Sequence, residues 1–194
     1  MRQAGTRELF DYWNRLRGER GAPERSEIDL AAIRGLLADI FMLEVDAGHR
    51  FPFLMSGSRV NALFCAEQKA RSFLDLWPRH EVHNIAAVLL TVIDAACPVV
   101  AAIDARPEGY ANADLEILFL PLRHTGYAQA RILGIMTAAA KPSWLGLLAV
   151  EQLKLRSLRA IDETAPPAGG VSGPLQGLGS PERRGHLRIF EGGK

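Results

Sequence analysis

The sequence predicts an α+β fold: a five-stranded antiparallel sheet with flanking helices, and an N-terminal helix outside the core. Three observations carry this. Apolar residues alternate over residues 40–46 and again over 50–57, with Ala47-Gly48-His49 as a short connection, which is a hairpin pattern. Between Pro78 and Pro98, Val82, Ile85, Ala86, Leu89, Val92, Ile93 and Ala96 follow a period of 3.6, so residues 79–96 are the clearest helix. Three more strand candidates follow at 99–105, 114–122 and 130–138. Pro107, Gly109 and Asn112 mark the first turn between them, and Gly126 the second. A hairpin and a three-strand meander join most economically into one sheet, with the long helix on one face.

The remaining elements fill in around that frame. Residues 6–20 read as a helix, with Leu9, Trp13 and Leu16 at i, i+4, i+7 and Phe10 widening the stripe. Gly21 and Pro23 stop it. Its stripe needs a partner, either the open face of its own sheet or another chain, and a homodimer through Leu9, Phe10, Trp13 and Leu16 is expected. Residues 26–37 predict a second short helix with Asp29 as cap. Gly57 and Ser58 end the second strand, residues 59–64 read as a short helix, and 72–77 as a small apolar turn. A strand that tips into several short helices suits the wall of a small cavity. After Pro142 the pattern weakens. Trp144-Leu145-Gly146 anchors the chain, 147–161 mixes apolar and basic residues without a firm period, 164–181 is a Gly/Pro-rich linker, and 187–190 predicts a short returning strand. The expected organisation is a dimerisation helix at 1–25, a core at 26–146 and an extension at 147–194.

Composition excludes several classes. A chain of 194 residues that is 48% hydrophobic with a net charge of +1 suits one globular core. It lacks the basic surplus of a nucleic-acid binder. No apolar run reaches the ~18–20 residues a bilayer span requires, so no membrane insertion is expected. The first twenty residues are charged throughout, unlike a secretory leader. Two cysteines, Cys65 and Cys97, make no disulfide framework, and a cytoplasmic location follows.

Several segments carry a family likeness. ELFDYWNRLRG at 8–18, DIFMLEV at 39–45, FLMSGSRVNALF at 53–64, RSFLDLW at 71–77, LEILFLPLRH at 115–124, RILGIM at 131–136 and then Trp144-Leu145-Gly146 stand in one order. Over residues 8–146 the chain resembles the short bacterial PAS-domain proteins that carry no attached kinase or cyclase. CAEQKA at 65–70 departs from the family's usual glycine and leucine-containing segment. The resemblance implies a PAS-like five-stranded sheet, helices around a small pocket, and an N-terminal helix that often mediates dimers. It also implies a sensor that passes its state to a signalling protein by contact. Nothing after residue 146 resembles an output enzyme, so output is expected from a partner.

Chemical constellations are sparse. His80 and His83 lie in RHEVHN on the long helix, where some haem-binding PAS domains place an iron ligand. At about 100° per residue both fall off the apolar stripe. Their spacing is one short of the HExxH pair, so no metal is assigned. Cys65 lacks the asparagine and arginine-phenylalanine neighbours of the flavin light sensors. It reads as a buried structural thiol, as does Cys97. Neither haem nor flavin is expected. The glycines at 169–179 have no lysine and no strand–helix setting. No nucleophile–base–oxyanion set is present, so no catalytic residue is assigned. The stronger candidate is an apolar ring: Phe41, Leu43, Phe53, Met55, Leu63, Phe64, Phe73, Trp77, Leu89, Ile117, Phe119 and Met136. Ser56, Ser58, Arg59 and Asn61 stand at its rim. The assigned ligand-pocket residues are Phe41, Leu43, Phe53, Met55, Ser56, Asn61, Phe64, Trp77, Leu89, Ile117 and Phe119. Such a ring either lines a cavity for a small molecule or packs on itself and leaves none. The expected function is a non-catalytic sensor, with a small α+β enzyme using the cavity as the alternative.

Overall fold

The computed structural model describes residues 1–123 and 130–161. Helix α1 (Ala4–Arg17) is followed by two short 3-10 turns at Arg25–Glu27 and Arg34–Leu36. Strands β1 (Ile40–Glu44) and β2 (Phe53–Ser56) form the hairpin. Helix α2 (Ser58–Leu63), a 3-10 turn (Phe73–Leu76) and helix α3 (Arg79–Asp94) come next. Strands β3 (Val99–Ala105), β4 (Ala113–Leu122), β5 (Arg131–Ala138) and β6 (Leu153–Ala160) complete the order.

The sheet is antiparallel in the order β2-β1-β5-β4-β3-β6. Five strands stand where the sequence places them; the sixth corrects the five-stranded expectation. β6 comes from the segment that showed no firm period. A bulge explains why: the register steps from Ala102↔Ser157 to Ile103↔Leu155, leaving Arg156 unpaired and breaking the alternation. The freed Arg156 guanidinium reaches Asp104 (3.1 Å) and Asp114 (2.7 Å), two carboxylates directly opposite each other on β3 and β4. Residues 26–37 also depart from expectation. They form 3-10 turns, and Asp29 Oδ1 accepts the Ala31 amide in a local turn. The returning strand at 187–190, the linker at 164–181 and the Gly126 turn lie outside the described residues.

Each sheet face buries its own core, because alternate residues point to opposite faces. Phe41, Leu43, Ile103, Ile117 and Phe119 meet α2, α3 and the 73–76 turn. Ile40, Met42, Leu118, Leu120, Leu133 and Ile135 meet α1. The N-terminal helix thus lies outside the α3-side core, yet it builds a second core with its own sheet. Leu9 is 0% exposed, Trp13 1% and Phe10 9%. Trp13 Nε1 donates to Pro121 O at 2.8 Å, and the Thr6 and Thr137 hydroxyls meet at 2.9 Å. The N-terminus of α1 is capped from the sheet: the buried Glu116 carboxylate accepts the amides of Arg2 (2.7 Å) and Gln3 (3.1 Å). This satisfies the amide of the N-cap residue Gln3 and that of Arg2 just before it, and places a carboxylate at the positive end of the helix. The burial that motivated the dimer expectation for Leu9, Phe10, Trp13 and Leu16 is therefore supplied within the chain, with Leu16 partly buried at the margin. Among the described residues, no helix is long and apolar enough to cross a membrane.

Candidate functional site: a ring-filled interior and a peripheral cleft

The predicted apolar ring assembles on the α3 side. Phe41, Leu43, Phe53, Phe64, Trp77, Leu89, Ile117 and Phe119 all enter that core, along with Leu63, Phe73 and Met136. Five rings pack on one another. Phe73 lies 5.7 Å from each of Phe41, Phe53 and Phe119 and 6.0 Å from Trp77, centroid to centroid. Phe41 reaches Phe53 at 5.8 Å and Phe119 at 6.2 Å. These are stacked, tilted and edge-to-face geometries in normal contact.

A residue the sequence reading passed over makes that packing possible. Gly134, at the centre of β5, pairs with Phe41 on one side and Phe119 on the other. A Cβ there would stand 2.2 Å from Phe41 Cζ. The available signal was an isolated glycine inside a strand pattern, which marks close approach. Gly57 serves similarly: its amide donates to Ile40 O at 2.7 Å, and a Cβ would meet Leu37 O at 2.2 Å.

Met55 does not join the ring. A bulge in the hairpin moves the register from Met42↔Met55 to Leu43↔Phe53, so Met55 packs on the α1-side core with Leu54. Strict alternation from Phe53 would have turned it inward. The rim residues are committed to holding a loop. Ser56 Oγ donates to Asn61 Oδ1 at 2.6 Å, and Asn61 Oδ1 also accepts the Gln68 amide at 3.1 Å. Gln68 is itself buried and donates from Nε2 to Ala66 O at 2.9 Å. The loop then lies along β2: Ala70 N donates to Phe53 O, and Phe53 N to Arg71 O. Cys65 and Ala70 take left-handed φ values of 47° and 65° in this loop. That turn swings Cys65 outward, so it is exposed rather than a buried thiol, while Cys97 is partly buried. Phe51, fully buried, holds φ at 52°, a costly conformation for a bulky residue. His80 and His83 are exposed, as the helical phase predicts. Among the described residues no group of three His, Cys, Asp or Glu is placed to hold a metal.

One polar atom inside the ring is unsatisfied: among the described residues, Trp77 Nε1 is the buried side-chain donor without a partner. Two open clefts lie elsewhere. One of about 400 Å³ runs between the Arg20–Ala22 turn, the end of α3 and Arg123. A second, of about 450 Å³, opens at the strand ends among the first turn of α1, Gly35–Leu36, α2 and the turn bearing Lys141, Pro142 and Leu145. Arg59 stands in this cleft and pairs with Asp39 through Nε (2.6 Å) and Nη2 (2.5 Å). Hydrogen bonding to Asp39 raises the guanidinium pKa above its ordinary value.

A single antiparallel sheet with an N-terminal helix on one face and short helices plus one long helix on the other defines a PAS-like α+β fold. The sequence profile described as PAS domain matches residues 1–137, and the chain belongs to that family. Membership places it among sensory and regulatory modules. The crystal structure of the PAS domain of a protein from Colwellia psychrerythraea is 12% identical, with 59% of this chain and 100% of that one covered at a TM-score of 0.42. No curated protein matches the chain. The family match ends at residue 137, before β6.

Proposed function

We propose that this chain is a non-catalytic regulatory module that works through protein–protein contacts, with β6 as the contact strip for an acidic, extended segment of a signalling partner. The observation that carries this is β6 itself. It lies beyond the family match, forms one edge of the sheet, and presents Lys154 and Arg159 exposed without ion-pair partners among the described residues. Leu155 and Leu158 are only partly buried on its other side. An edge strand can accept a further strand through its backbone, with side chains setting the preference. Basic residues also keep an edge from self-pairing, which leaves an acidic strand as the complementary occupant. The reading assigns no cofactor and places the protein in the cytoplasm, in keeping with two free cysteines.

A synthetic peptide alternating glutamate and valine tests this. Saturable binding is expected, weakened by salt, with new protection at the β6 amides that bond neither to β3 nor, at Leu155, to Glu81 Oε2. Combining Lys154→Glu with Arg159→Glu should weaken it about tenfold or more. Absence of binding, or binding indifferent to charge reversal, would overturn the reading. A second reading, an interior small-molecule sensor, is favoured by the unpartnered Trp77 Nε1. It requires the surrounding rings to move apart.

A further inference from the structure

We propose that the cleft at the strand ends binds a small zwitterion with an apolar body, the chemistry of a hydrophobic amino acid or a short apolar peptide. This does not depend on the β6 contact. The cleft measures about 450 Å³, within the roughly 300–1,000 Å³ of small-molecule sites. It lies apart from the five packed rings, none of which lines it.

Its lining divides by chemistry. Leu36, Leu63, Leu115, Met136, Pro142 and Leu145 supply apolar surface. Four charged side chains also line it. Two cancel, because Asp39 and Arg59 hold each other through two hydrogen bonds. The other two, Glu8 and Lys141, are exposed. Neither joins an ion pair among the described residues, with each other or with a third group. The cleft therefore offers one open anion and one open cation beside apolar walls. A ligand with one charge answers half of this; a zwitterion answers both, with its ammonium toward Glu8 and its carboxylate toward Lys141. Gln3, Ala4 and Gly5 form part of the wall, immediately beside the backbone that Glu116 holds. Occupancy would thus tighten the docking of α1 on the sheet.

The test is an amide-shift titration of the isotopically labelled full chain with L-phenylalanine and with L-leucyl-L-leucine. 3-Phenylpropionate and phenethylamine serve as single-charge controls. Saturable shifts are expected at Gly5, Gly35, Thr137 and Ala138 with at least one zwitterion, and the tighter of the two identifies a free amino acid or a peptide. Each control should bind about tenfold or more weakly, as should Lys141→Ala and Glu8→Ala protein, since each loses one charge-assisted contact. Both positions are exposed, so the variants keep the fold. No saturable shift at millimolar concentrations, equal binding of the controls, or indifference to both substitutions would overturn the proposal. The residues read here lie outside β6, so failure leaves the contact reading standing.

Discussion

Gly134 and the two phenylalanines beside it decide how the interior fills. Gly134→Ala drives a methyl into the Phe41 ring, and overpacking of this kind costs about 1–3 kcal/mol. Urea denaturation should show that loss, and Phe41→Leu added to Gly134→Ala should recover part of it. Phe53→Ala removes a fully buried ring that touches Phe41 and Phe73. The expected loss is about 3–5 kcal/mol; a loss below about 1 would place Phe53 outside the core. Phe53 was legible because alternation and ring size both mark it. Met55 was not, because a bulge in the hairpin leaves no trace in hydrophobic periodicity. Cys65 was misread for a related reason: its apolar neighbours suggested burial, and only a left-handed turn sends it outward. Two carboxylates also set an acid limit. Side-chain hydrogen bonding from Arg20 lowers the Glu27 pKa, and the Arg50 amide lowers that of Asp46. A lowered folded-state pKa contributes stability above the unfolded value and loses it as pH falls through the folded one. Thermal midpoints should therefore decline below about pH 4, and both contributions are absent at strongly acidic pH.

At the scale of elements, α1 shows how a helix is held without a capping side chain of its own. Gln3 makes no side-chain cap; Glu116, more than a hundred residues away in sequence, accepts the amides instead. Glu116→Ala strands these donors, and a lost cap costs about 0.5–2 kcal/mol. Hydrogen exchange should quicken in the first turn of α1 while α3 is unaffected; unchanged exchange would mean that apolar packing alone seats the helix. The stripe of α1 was legible, but its partner was not, since the same residues serve a sheet or a second chain equally well. Its own sheet now occupies them, and any dimer through Leu9 and Trp13 requires α1 to undock. β6 was illegible because the unpaired Arg156 interrupts an alternation that Leu153, Leu155 and Leu158 otherwise announce. Strands β3, β4 and β5 were legible nearly to the residue, because long apolar runs between Pro and Gly turns admit few alternatives.

At the scale of the whole molecule, the described residues form one sheet with two cores. The core on the α3 side packs on itself through five aromatic rings; among the described residues, β6 forms one edge of the sheet and two clefts lie outside that core. Packing of this kind makes the interior a determinant of stability. The sequence showed most of the residues that enter that interior, Met55 being the exception. It did not show whether they leave room, because that turns on Gly134 and on ring angles that no linear pattern records. Xenon titration of the isotopically labelled protein tests the claim most directly, since xenon enters empty apolar cavities and shifts the resonances that line them. A self-packed interior gives no saturable shift among Phe41, Phe53, Phe73, Trp77 and Phe119. Saturable shifts at those rings would reveal a hollow interior, contradict the account, and restore the interior as the sensing site.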